Sequence, residues 1–132
     1  MPGVRPWIVL ATFLFVALAV GCSGGTPHIE LPTTSYDFGP IPQGEVATVQ
    51  LPVRNTGQGD LHIEAVSTSC GCTSAYVEPQ VIPAGGEGTL TVRYDSSVHP
   101  DSGPVRRIVY IASDDPQAPE VEVEITAQVQ AP

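Results

Sequence analysis

The chain predicts an all-β fold, a sandwich of antiparallel strands, from three observations. Several segments alternate apolar and polar residues with a period of two. Clusters of turn-forming residues separate them at roughly the 8–12-residue spacing of a β-sandwich. No segment sustains a helical period, and 14 prolines and 13 glycines among 132 residues agree with that.

In chain order, "ATVQLPV" places Ala47, Val49, Leu51 and Val53 on one face, with Pro52 in the outward set. A proline in a strand lacks one ladder donor, so this strand is expected at an edge or a bulge. "LHIEA" turns Leu61, Ile63 and Ala65 inward and His62 and Glu64 outward, where His62 reads as a solvated surface residue. "GTLTVRYD" does the same with Leu90, Val92 and Tyr94. "VRRIVYIA" is more uniformly apolar, the mark of a central strand. "EVEVEITAQVQ" is the clearest, with Val121, Val123, Ile125, Ala127 and Val129 on one face and Glu120, Glu122, Glu124, Thr126 and Gln128 on the other. The expected core is Leu51, Val53, Leu61, Ile63, Leu90, Val92, Val123 and Ile125. "NTGQGD", "PAGGEG", "HPDSGP" and "SDDPQAP" supply the turns.

The N-terminus sets the compartment. In "MPGVRPWIVLATFLFVALAVGC" one basic residue, Arg5, precedes a 14-residue apolar run from Trp7 to Val20. That is short for a membrane span and fits the core of a secretory signal. Small residues, Ala19-Val20-Gly21, stand directly before Cys22. "LAVGC" resembles the lipobox of bacterial lipoproteins, with Ala19 where leucine is typical. The resemblance implies cleavage after residue 21, fatty acylation (palmitate or a similar chain) on Cys22, and a lipidated tether over 22–27. Ser23, not an aspartate, follows the cysteine, which implies the outer membrane, facing the periplasm. The alternative is an ordinary secretory signal with a chance cysteine.

Cleavage before Cys22 leaves 111 residues, enough for one domain over 28–132 with a single core. It removes one of five basic residues and none of the 14 acidic ones, leaving a formal charge of −10. Such a surface repels nucleic acid and anionic headgroups, so nucleic acid is excluded as a partner and the membrane is reached through the lipid alone.

"YDFGPIPQGE", "VRNTGQGDLHI", "SCGCTSAYVEP" with "IPAGGEGTLTVRYD", and "IASDDPQAPEVEVEITAQV" occur in that order. Together they resemble number 1573 among the bacterial families of domains of unknown function, relatives of the Ig-like domains of Hydin and major-sperm-protein type. The resemblance runs from about Ile29 to Val129. It implies an Ig-like sandwich of about seven strands and says little about activity. The antibody pattern is missing, since the single tryptophan, Trp7, lies in the leader.

Three chemistries compete for Cys70 and Cys72 in "TSCGCTSAY". The first is a small disulfide across Gly71, favoured by export to an oxidising compartment, with the glycine expected to permit the bend. Its closed loop is short, so its effect would be local. The second is a soft-metal pair holding Cu(I), for which no histidine among His28, His62 and His99 has motif spacing to the cysteines. The third, thiol catalysis, needs a cation or helix N-terminus beside the thiolate, and this stretch contains neither. No nucleophile elbow, phosphate loop or zinc-protease helix occurs, so neither a cofactor nor a catalytic residue is expected. Asp114 and Asp115 in "SDDP" read as a backbone-bonding turn, with calcium binding the weaker reading. Arg106 and Arg107, adjacent in a strand, point opposite ways and form no patch. Two functions follow: a non-catalytic, membrane-anchored module that takes an envelope protein partner by edge-strand pairing, or a periplasmic thiol or copper-binding protein centred on Cys70 and Cys72.

Overall fold

The computed structural model describes residues 3, 24–99 and 102–132. The leader expected over 1–21, apart from residue 3, and Cys22 lie outside these residues. Among the described residues there are nine strands and no helix. They are β1 (Ile29–Glu30), β2 (Ser35–Pro42), β3 (Val46–Asn55), β4 (Leu61–Thr68), β5 (Thr73–Glu78), β6 (Val81–Ile82), β7 (Glu87–Asp95), β8 (Gly103–Ser113) and β9 (Glu120–Gln130). Seven have six or more residues, while β1 and β6 have two each.

Two sheets form the sandwich, one ordered β1-β3-β7-β5 and the other β2-β9-β8-β4-β6. Every neighbouring pair is antiparallel except β2 with β9, which runs parallel from Ser35 beside Glu124 to Pro42 beside Gln130. No hairpin joins those two strands. Almost the whole domain separates them in sequence, so a turn does not force them to oppose.

The alternation in sequence becomes burial. Val53, Leu61, Ile82, Leu90, Val92, Val109, Ile111 and Val123 have no exposed surface, and Leu51 and Ile125 are buried beside them. β8 lies between β9 and β4, the central position its apolar character predicts. β3 pairs with β7 throughout, but β1 reaches only Arg54 and Asn55 on its other side. Pro52 therefore lies on the open stretch, where proline is tolerated.

β4 departs from expectation. Its register against β8 slips between Ile63 and Ala65, inserting one extra residue. The bulge reverses the alternation beyond it, so Ala65 is exposed and Val66 packs against the core instead. Ile63 is half-buried and packs against the core from its rim. Thr26, near the end of the tether expected over 22–27, is tied to the domain: its carbonyl accepts hydrogen bonds from the Gln58 and Gly59 amides of the β3–β4 turn.

Candidate functional site

The turn between β4 and β5 carries both cysteines, with their sulfurs at disulfide distance and their Cα atoms 5.2 Å apart. Backbone contacts fix it closely. The Thr73 amide donates to the Cys70 carbonyl, and the Asp95 amide donates to the Cys72 carbonyl at 2.8 Å. The Thr68 hydroxyl lies 2.9 Å from the carbonyls of Cys70 and Thr73. Gly71 does not have a positive φ, and a Cβ built there meets nothing within 4 Å. The expectation that glycine enables the bend is therefore corrected: the bend uses backbone angles open to ordinary residues, and Gly71→Ala is expected to fold normally.

The two sulfurs have different surroundings. Cys72 is buried in a small apolar cluster with Ile41, Tyr94, Ala127 and Val129, while Cys70 is half-buried at its rim. Arg107 on β8 donates from Nε to Cys72 Sγ at 3.1 Å and from Nη1 to the Arg106 carbonyl. Its guanidinium also stands 6.0 Å from the Tyr94 ring centre. The reading that no cation serves these thiols is thus overturned. The two arginines point apart as expected, since Arg106 pairs with Glu124 at 2.7 Å, and it is the inward turn of Arg107 that reaches the sulfur.

His99 is the second residue that spacing alone misses. After β7 the chain turns sharply, with the Asp95 carboxylate accepting from the Ser97 amide at 3.0 Å. Buried Ser96 locks the turn against the β2–β3 turn: its hydroxyl donates to the Glu45 carbonyl at 2.6 Å and accepts from the Gly44 amide at 2.9 Å. This placement carries His99 to the cysteines, and a ring nitrogen and the two sulfurs all lie within 4.8 Å of one another. His28 and His62 go elsewhere. His62 is bound to Asp114, ring to carboxylate at 2.7 Å and amide to carboxylate at 2.8 Å, rather than simply solvated.

Asp115 does the turn work read from "SDDP" and more. Its carboxylate accepts from the Gln117 and Ala118 amides within its own loop, and from the Ile29 amide at 2.9 Å. It also meets His28 Nδ1 at 3.0 Å. Burial would raise its pKa, but the backbone amides, with His28, outweigh that and hold it below the usual 3.8.

Beside the cysteine turn the sandwich has an open margin. β5 pairs with β7 alone, and beyond Ile63, whose amide donates to the Gln80 carbonyl, β4 pairs with β8 alone. A shallow cleft between them is lined by Ile63, Val66, Ala75, Tyr76 and Val77 among others. Tyr76 is half-exposed at its mouth. On the far margin β2 contains Pro40 and Pro42 and shifts register between Asp37 and Pro40, while β3 carries Pro52 on the stretch that β1 does not cover.

Two packed sheets give the protein the Ig-like, PapD-like β-sandwich fold. Within that class the chain belongs to the family described as "Protein of unknown function (DUF1573)", whose model matches residues 29–129. It is similar to a protein of unknown function from Porphyromonas gingivalis W83, with 25% identity and a TM-score of 0.73 over 85% of this chain and 51% of that one. The chain thus spans about half the length of that relative. The PapD-like domain 7 of human CEP192 is similar in fold, at 12% identity and a TM-score of 0.59, covering 79% of this chain and 86% of that one. So is the chaperone YadV, at 16% identity and a TM-score of 0.55, covering 77% and 52%. No curated protein matches the chain.

Proposed function

We propose that this protein is a non-catalytic binding module, anchored by lipid on Cys22 to the periplasmic face of the outer membrane, that holds an envelope protein by strand addition to β5. The open edge of β5 beside a cleft of mixed polarity, lined by Glu64 and Gln80 as well as Ile63, Val66 and Val77, carries the reading, with Tyr76 52% exposed. Unpaired backbone groups supply affinity for an added strand, and the cleft supplies side-chain selectivity. The likeness in fold to YadV and to the periplasmic chaperone SfaE is in keeping with a protein-binding role. The anchor rests on the leader and lipobox, since several acyl chains hold a protein far more firmly than one.

A photo-crosslinking residue at position 76 of the full chain, expressed in cells, tests the edge. It should give one discrete protein adduct, and the same residue at Glu122, on the outward face of β9, should not. Equal labelling from both positions defeats the proposal. Cys22→Ser should shift the protein from the membrane to the soluble fraction or leave it unprocessed. Unchanged fractionation, with no acyl label on the wild type, would sink the anchor.

The thiol state has its own check. Protein purified without reductant and alkylated before digestion should carry Cys70 and Cys72 as a linked pair. Two alkylated thiols would reject the disulfide.

A further inference from the structure

We propose that Cys70, Cys72 and His99 form a three-coordinate site for the monovalent soft ion Cu(I) when the cysteines are reduced, with Arg107 as an outer partner that donates to the Cys72 sulfur. The inference is independent of the binding role of β5.

Geometry comes first. The three donor atoms already lie within 4.8 Å of one another, drawn from two turns that are separately fixed by backbone hydrogen bonds. A three-coordinate ion with metal–sulfur bonds near 2.3 Å needs its sulfurs roughly 4 Å apart. The pair must therefore open. Cys70, half-buried at the rim, can turn about its side-chain torsion, while Cys72 stays fixed beside Arg107 and 3.6 Å from the Thr73 hydroxyl.

The donor set selects the ion. Two thiolates and Cu(I) carry one net negative charge, and the Arg107 guanidinium donates to Cys72 Sγ at 3.1 Å. A closed structural zinc site takes four protein donors. Among the described residues, the Cys70, Cys72 and His99 group offers three. Thiolate and imidazole ligands at low coordination number suit Cu(I).

Opening the site takes a dithiol reductant. One thiolate of the reductant attacks Cys70 Sγ, the sulfur–sulfur bond breaks, and its electron pair leaves on Cys72 beside Arg107. The reductant's second thiol then attacks its own sulfur in the mixed disulfide, freeing Cys70 and closing the reductant's disulfide. Cu(I) afterwards replaces one proton on each cysteine. The guanidinium stabilises the leaving thiolate in the first step, and a stabilised leaving group speeds exchange.

The test uses the full chain in detergent, reduced with a phosphine under anaerobic conditions and titrated with Cu(I) acetonitrile complex against a Cu(I) chelator. One Cu(I) per chain should be retained, with an X-ray absorption signature of two sulfur donors and one nitrogen donor. His99→Ala, at an exposed position, should weaken retention by at least about tenfold and remove the nitrogen donor, because a direct ligand should matter no less than an outer-shell partner. Arg107→Gln should weaken it by about 10–100-fold with both sulfurs still bound, as for an outer-shell partner. Cys70→Ser with Cys72→Ser should retain none. The proposal is overturned if wild-type protein yields its copper to the chelator, if His99→Ala matches wild type in affinity and spectrum, or if Zn(II) displaces Cu(I).

Discussion

Asp115→Ala should destabilise the domain by about 2–4 kcal/mol, more than an ordinary single substitution, because it orphans the buried Ile29 amide and removes two part-buried turn bonds at once. The amides of Ile29, Gln117 and Ala118 all donate to this carboxylate, whose residue is 1% exposed. Those bonds join the β8–β9 loop to β1, so the loss should also loosen the N-terminal strand. The effect has a pH signature. Asp115 has a folded pKa depressed below 3.8, so its stabilising contribution is complete above that value and is lost as pH falls through the folded pKa. Urea midpoints measured from neutral pH to about pH 3 should therefore fall more steeply in wild type than in Asp115→Asn, which has no charge to lose. Parallel pH profiles would refute the assignment.

Leu90→Ala is expected to cost about 2–5 kcal/mol, the range for a large buried aliphatic side chain that leaves a cavity. Leu90 has no exposed surface and stands in register between Leu51 on β3 and Val77 on β5, so three strands border the void. Glu122→Ala, on the wet face of β9, should cost less than about 0.5 kcal/mol. Denaturant unfolding of the two variants compares them directly. Similar losses would mean that the two faces of the strands had been assigned wrongly.

β7 and β9 were legible from residue order because a half-buried strand enforces its alternation locally: each residue's face follows from its neighbour's. β4 was legible only as far as Ile63. The bulge beyond it depends on how β8 pairs alongside, and no residue in "LHIEA" announces it. The two-residue strands β1 and β6 gave no periodic signal, and β1 is held by pairing with the end of β3 and by Asp115, 86 residues from Ile29.

The cysteine pair divides the same way. Compartment, leader, the spacing of Cys70 and Cys72, and the family resemblance are all written in consecutive residues, and local chemistry suffices to read them. Arg107 lies 35 residues from Cys72, and its contact exists because β8 runs beside β4 and on past its end at the β4–β5 turn. His99 reaches the same sulfurs through a turn that Ser96 pins to Glu45, 51 residues earlier. A single chain encodes such encounters only through the packing of distant strands. The electrostatics of a buried sulfur are set by whatever side chain that packing delivers, so the residues around the thiols became visible only in the folded molecule.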